Sequence, residues 1–201
     1  LYTGVGNMKN KEKFETKAIH VGNEADKLTG SVAVPIHLTS TFKQDGIGKN
    51  KGYDYSRGGN PTRSRLEDNI ASLEGGVDAI SFSSGMAATT ALFQNLKKND
   101  HVIVSRNVYG GTYRMTTQVL AYHGIDFDFV DTRDESNIEE KIRDETKWVF
   151  IETPTNPLLE ITNIKKVANI CKKSGIKLAV DNTFMSPYGQ RPLEYGADSI
   201  T

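Results

Sequence analysis

The sequence predicts an α/β fold, a mostly parallel sheet with helices on both faces, and three observations carry that prediction. Short apolar runs alternate with amphipathic segments from about residue 61 to the end, the order from which βαβ units are built. The amphipathic segments have helix punctuation: Asn60-Pro61 and Asn163 at starts, Gly75-Gly76 and Gly175 at stops. A chain of 201 residues, 37% of them hydrophobic, is long enough to bury one sizeable core.

In chain order, residues 1 to about 60 are rich in Gly, Lys, Asn and Thr with weak periodicity. They read as an extended arm in which Gln44 to Gly52 is a mobile loop. The large domain then runs 61–201. Asn60 caps and Pro61 opens a helix whose Leu66, Ile70 and Leu73 recur at helical spacing, and Gly75-Gly76 ends it. Strands are expected at Ala79 to Phe82, Val102 to Val104, Phe127 to Val130, Trp148 to Ile151 and Ile176 to Val180. Helices are expected at about Gly85 to Leu96, Tyr113 to Tyr122, Asn137 to Arg143 and Ile164 to Ser174. In the last, Ile164, Val167, Ala168 and Cys171 share one face, and Gly175 takes the left-handed position after the end.

Composition excludes several classes. Lys+Arg and Asp+Glu balance at 25 each, which argues against a nucleic-acid binder, whose footprint is basic. The single cysteine, Cys171, rules out an internal disulfide and a cysteine-rich zinc site, and points to a reducing, cytoplasmic setting. No apolar run approaches the roughly 18 to 20 residues of a membrane span. Leu1 to Met8 lacks the basic and apolar regions of a secretory signal, and Met8 is a candidate natural start. His20, His37, His101 and His123 have no metal-ligand spacing, so no metal is expected. There is no G-x-G-x-x-G after a strand, and Gly48-Lys49 is followed by Asn50 where a P-loop needs Ser or Thr.

In open α/β sheets ligands bind beyond the carboxyl ends of the strands, so chemistry is sought just after each run. Four such sets converge there: Ser83 to Met86, Ser105 to Gly111, Glu152 to Pro157, and Asp181 to Thr183. Gly85 at a helix start lets free first-turn amides approach an anion, a phosphate seat; alone, the same residues read as a tight turn with a serine cap, the commoner use. Asp181 ends an apolar run, so its carboxylate emerges at the sheet edge, either to meet a cationic partner or as a turn residue bonded to Asn182 or Thr183. Tyr109 precedes two glycines, a ring where backbone can approach a ligand, although tyrosines more often simply pack. Tyr53 to Asn60 gathers two phenols and the Arg57 fork outside the sheet, suited to phosphate or carboxylate, or to a solvated arm. Ser81 to Gly85 resembles a nucleophile elbow with its first glycine replaced, an acyl-hydrolase alternative for which only His123 follows as base.

These fragments match one family in order. Tyr55-Ser56-Arg57 with Gly59 to Arg63, Ser84-Gly85-Met86-Ala87, Val108 to Thr112, Glu152 to Pro157 and Asp181 to Phe184 together resemble the Cys/Met-metabolism family of pyridoxal-phosphate enzymes. That family includes cystathionine γ-lyase, cystathionine β-lyase, cystathionine γ-synthase and methionine γ-lyase. The resemblance implies a type I pyridoxal-phosphate-dependent transferase fold, with pyridoxal 5'-phosphate as cofactor and the C-terminal domain absent from this chain. It implies that Asp181 pairs with the pyridinium nitrogen, that Tyr109 stacks on the ring and works as an acid/base, and that Gly85 and Met86 amides hold the phosphate. Asn156 and Thr183 fall near the ring oxygen, and Ser199 and Thr201 at the phosphate. Tyr55 and Arg57 are expected to reach the phosphate of a neighbouring subunit, which requires at least a dimer and suggests a homotetramer of paired dimers.

The expected activity is carbon–sulfur elimination on cystathionine-like amino acids, with γ-synthase as the alternative. Asp54 and Arg114 are expected near the distal part of such a substrate, or as a surface charge pair. Gly111 stands where methionine γ-lyases carry a cysteine. The cofactor lysine of the family follows a Ser-x-Thr pattern, so it is expected just after Thr201. The family also carries a few strand residues between Gly-Ala-Asp and Ser-x-Thr, whereas here Asp198 runs directly into Ser199. A chain of this length by itself reads alternatively as an inactive, dimer-forming module.

Overall fold

The computed structural model describes residues 12–201. Met8 and the rest of the stretch read for a signal lie outside the described residues. The structure divides into two compact units, one ending at Ser81 and one running Phe82–Thr201.

The first unit contains helices α1 (Phe14–His20) and α2 (Pro61–Glu74). Asn60 accepts a hydrogen bond from the Thr62 amide at 2.8 Å, Pro61 fills the first turn, and Gly75 takes φ 74° at the stop, as expected from the sequence. Two polar side chains of α2 tie it to the segment after α1: Asn69 donates to the Val21 carbonyl at 2.7 Å, and Arg65 to the Gly22 carbonyl at 2.9 Å. This explains why α2 groups with the preceding residues. The weak periodicity of the arm conceals α1, which the sequence reading misses. The expected strand at Ala79 to Phe82 does not form either. The Ser81 amide and hydroxyl both donate to Glu67 at 2.9 Å, and Ile80 is 72% exposed. Side-chain acceptors rather than a strand partner satisfy this segment.

The second unit holds α3 (Gly85–Phe93), β1 (His101–Ser105), α4 (Gly110–Gln118), β2 (Asp126–Val130), α5 (Ser136–Glu139), β3 (Thr146–Glu152), α6 (Ile164–Ser174), β4 (Lys177–Asp181), α7 (Ser186–Gly189) and β5 (Ser199–Ile200), with short 3-10 turns at Leu120–His123 and Pro192–Tyr195. The strands form a parallel sheet in the order β2-β1-β3-β4-β5. Four of the expected strands form within two residues of their expected limits, while β5 escapes a periodicity reading because it is only two residues long.

Alternation along the strands fills two cores. Ile103, Val149, Ile151, Leu178 and Val180 face α5 and α6, whose Ile138, Val167 and Cys171 close that side. Val102, Val104, Phe150 and Ala179 face the other way, against Phe93 of α3 and Met115 of α4. Helices therefore cover both faces, as the parallel order requires. α6 matches its expected limits, with Asn163 capping Lys166 at 3.1 Å and Gly175 at φ 68°. Burial pushes the Cys171 thiol up to about 12, so it is an inert core group.

Candidate active site

The strand order reverses beside β1: its crossover leads to β2 on one side, and the next crossover returns to β3 on the other. Ligand crevices in open α/β sheets lie at this kind of reversal, outside the strand carboxyl ends. A cavity of about 380 Å³ opens there. Of the residues singled out from the sequence, Gly85, Met86, Tyr109, Asn156, Asp181, Thr183 and Thr201 line it.

Each is placed by its own element. Ser84 caps α3, accepting from the Ala87 amide at 3.1 Å, which leaves the first-turn amides of Gly85 and Met86 without intrahelical partners at the cavity wall. Asp181 is the last residue of β4; its Oδ1 accepts from the Thr183 amide at 3.1 Å and the Thr183 hydroxyl at 2.6 Å. Asn182, buried behind it, exchanges two hydrogen bonds with Gln190, donating to its carbonyl at 2.8 Å and accepting from its side-chain amide at 2.9 Å. The turn that presents Asp181 is thus anchored from below.

Tyr109 caps the start of α4, half exposed. A Cβ at Gly111 would stand 2.5 Å from a Tyr109 ring carbon and 2.7 Å from Met86 Sδ. A side chain here would require the Tyr109 ring or the Met86 side chain to shift.

Glu152, the last residue of β3, is the main feature the sequence reading left without a role. It is 6% exposed, and both of its oxygens accept backbone hydrogen bonds: Oε2 from Tyr109 at 2.6 Å and Oε1 from Asn156 at 3.1 Å. Burial pushes this carboxyl above its ordinary range, the two amides pull it back, and the charge on Asp181 adds a smaller upward push. The signal was present in the sequence, since Glu152 terminates an apolar run as Asp181 does.

Beyond the cavity, Arg106 and Arg133 bracket Asp131 and Glu160 at the same sheet edge, with contacts of 2.6 to 3.5 Å. Hydrogen bonding to Arg133 is the main cause that holds the Asp131 carboxyl down to about 2. This network ties together the loops that follow the first three strands of the sheet.

Other expected residues fall elsewhere. Ser199 is corrected: it is paired with Ala179 inside the sheet and lines a separate groove at the amino ends of the strands. The Ser-x-Thr letters here open a strand, so only Thr201, level with Asp181, reaches the cavity; its amide donates to Val180 and its carbonyl accepts from Asn182, both at 2.9 Å. Arg114 lies on the exposed face of α4 and does not line the cavity. The hydrolase alternative fails. Among the described residues no strand precedes Ser83, and His123 ends the turn leading into the amino end of β2, across the sheet from the serine.

Asp54, Tyr55 and Arg57 belong to the first unit. There the Arg57 guanidinium donates to the Tyr55 hydroxyl at 2.8 Å and lies 5.0 Å from its ring centre. Asp54 accepts from the Tyr55 amide at 2.7 Å. Arg63, unassigned from the sequence, donates to the carbonyls of Ser56, Arg57 and Gly58 and so shapes this loop.

The cavity fits pyridoxal phosphate on its own chemistry. Its walls offer helix-start amides for an anionic group and a strand-end carboxylate for a protonated nitrogen. Among the described residues the buried Thr201 Oγ1 has no hydrogen-bond partner, a polar atom that a polar ligand would satisfy.

The family model described as "Cys/Met metabolism PLP-dependent enzyme" matches residues 15–201. The chain is 50% identical over 188 residues to cystathionine gamma-lyase of Bacillus subtilis (strain 168), covering 94% of this chain and 50% of that protein. It is 46% identical over 187 residues to a probable cystathionine gamma-synthase of Herpetosiphon aurantiacus, covering 93% and 59%. Among solved structures, cystathionine gamma-lyase from Lactobacillus plantarum complexed with L-serine superposes with a TM-score of 0.91 at 46% identity, covering 94% of this chain and 49% of that one. The structure of metB from Corynebacterium glutamicum gives 0.93 at 44%, covering 96% and 50%. The chain thus spans about half the length of the curated relatives it matches. On motif order, fold and these matches together, it belongs to the Cys/Met-metabolism family of pyridoxal-phosphate-dependent enzymes, and its cofactor is pyridoxal 5'-phosphate.

Proposed function

We propose that the protein carrying this chain is a carbon–sulfur lyase acting on cystathionine-like sulfur amino acids, cytoplasmic and assembled as a homotetramer of paired dimers. The observation that supports this reading is the convergence of Asp181, Tyr109 and the Gly85 and Met86 amides on one cavity at the strand ends. The cofactor, when bound, supplies an electron sink for the negative charge left at the substrate Cα. Asp181 holds the proton of the ring nitrogen, and Thr183, by donating to Oδ1, keeps that carboxylate oriented. Gly85 and Met86 bind the phosphate through their amides, with the Thr201 hydroxyl as a further donor. Tyr109, at the cavity wall, would pack against the bound cofactor, and its phenol would carry a proton to or from the reacting carbons. Asn156, also at the cavity wall, would lie near the ring oxygen or its surroundings.

Tyr55 and Arg57, in the first unit, act on a neighbouring subunit's phosphate. The guanidinium fork suits that anion, and its bond to the Tyr55 hydroxyl presents the two as one group. Asp54 and Arg114, which lie outside the cavity, are assigned to the distal end of a substrate that projects beyond it.

Lyase activity is favoured by the 50% identity to a cystathionine gamma-lyase; identity of 46% to a probable cystathionine gamma-synthase supports a second reading, the joining of an activated homoserine to cysteine. Incubation of the purified full-length protein with cystathionine separates them. Cysteine with 2-oxobutanoate identifies γ-elimination, and homocysteine with pyruvate identifies β-elimination. Cystathionine formed from activated homoserine and cysteine, without breakdown of cystathionine, rejects the lyase reading.

A further inference from the structure

We infer that Glu152 is a positioning residue, whose carboxylate clamps together the two loops that carry Tyr109 and Asn156. The inference rests on the reading of the cavity as the pyridoxal-phosphate site. Its geometric basis is that one side chain on β3 accepts a backbone hydrogen bond from each loop on a different oxygen, Oε2 from Tyr109 at 2.6 Å and Oε1 from Asn156 at 3.1 Å.

The loops come from different places. One follows β1 and opens α4, and the other follows β3 itself. Neither is held in a sheet ladder at these residues, so their relative placement depends on what ties them together. Glu152 is suited to this because a carboxylate offers two acceptor oxygens and no donor. At Tyr109 it does from a neighbouring strand what a capping-box glutamate does within a helix, by accepting the N–H of the N-cap residue. The negative charge lies at the start of α4, where the helix dipole favours it.

The clamp is itself held rigidly. The Glu152 amide donates to the Ser105 hydroxyl at 3.3 Å, which bonds Thr132 at 3.1 Å, which in turn bonds Thr162 at 2.7 Å. All of these residues are buried. A carboxylate on such a base is a fixed reference point, and burial excludes the water that could otherwise substitute for it.

The glutamine variant tests the role without altering volume. In Glu152→Gln the side-chain NH2 must face one of the two backbone N–H groups, so one loop loses its acceptor. In the full-length protein we expect an unchanged far-ultraviolet circular dichroism spectrum and a pyridoxal-phosphate dissociation constant raised about 10- to 100-fold. A fall in kcat larger than the rise in KM accompanies it, because the displaced phenol serves the reacting atoms. In a Tyr109→Ala background the glutamine change has less than half its effect on cofactor affinity, since the group positioned is gone.

Hydrogen exchange of the wild-type apoprotein supplies a measure independent of any variant's folding: the Tyr109 and Asn156 amides are protected. Glu152→Gln with wild-type cofactor affinity and kcat overturns the inference, as do unprotected amides. If the wild-type protein itself binds no pyridoxal phosphate, the reading of the cavity fails instead, and the two failures are distinct.

Discussion

Glu152 and Asp181 stand side by side at the ends of β3 and β4, paired in register, with both carboxylates on the wall of one cavity. Burial raises the cost of ionising Glu152, and the neighbouring Asp181 charge adds a smaller amount. The amides of Tyr109 and Asn156 offset that cost at Glu152, while Asp181 is the carboxylate left facing the cavity. The two side chains divide the work: one faces the cavity, the other the loops around it.

Asp181→Asn removes the charge but keeps the shape and an acceptor for Thr183. A hydrogen bond to a charged group is worth about 1.5 to 3 kcal/mol, so cofactor affinity should fall roughly 10- to 150-fold. Absorbance titration of the apoprotein with pyridoxal phosphate measures this directly. An unchanged dissociation constant would remove Asp181 from the site.

Gly111→Ala places a methyl group where 2.5 Å separates it from the Tyr109 ring. The ring or the start of α4 has to move, at a cost of about 1 to 3 kcal/mol typical of overpacking. We expect a lower melting temperature and a weaker, shifted visible band in the cofactor-loaded protein. A variant indistinguishable from wild type would show that the close approach of Tyr109 to Gly111 is not needed.

Thr201→Val distinguishes a ligand-directed hydroxyl from a structural one. Among the described residues its Oγ1 is buried without a partner, and an unsatisfied group of this kind costs about 1 to 3 kcal/mol. The valine variant should therefore melt higher than wild type without cofactor and gain less from adding it. Equal gains would show that the hydroxyl does not meet the ligand.

His101 governs a pH dependence remote from the cavity. It is fully buried at the start of β1, with Nδ1 2.9 Å from Thr146 Oγ1 and Nε2 3.4 Å from Asp128, while Lys141 pairs with Asp128 and Arg143 with Asp126 nearby. Burial, then Arg143, lower its pKa; Asp128 and Asp126 oppose them without prevailing. The folded protein therefore binds the proton less readily than the unfolded chain. Its contribution is fully present above the unfolded value of about 6.5 and is lost as pH falls through the lower folded value. Urea midpoints should drop between pH 7 and pH 5 more steeply in wild type than in His101→Gln. Parallel profiles would contradict the assignment.

Much of this architecture was legible because helix caps and strand runs are local signals. Asn60, Asn163 and Gly175 act as their positions suggest, and the residues after the apolar runs do converge at the carboxyl edge. What was hidden depends on partners distant in sequence. Ala79 to Phe82 looks like a strand until Glu67 takes the Ser81 donors, and Ser199 looks like part of a phosphate loop until its pairing with Ala179 makes it strand. Glu152 declared itself a buried carboxylate only once β1 brought the Tyr109 amide to it. Residue type announces which chemistry is available, but the acceptor for a given donor is a property of the fold.

The most direct test of the account is the visible absorption spectrum of the purified full-length protein, taken before and after borohydride reduction and followed by intact mass. The wild type is expected to show an absorption band that disappears on reduction as the cofactor becomes covalently fixed, and Asp181→Asn a much weaker band. A full-length wild-type protein with no such band, even after incubation with pyridoxal phosphate, would contradict it.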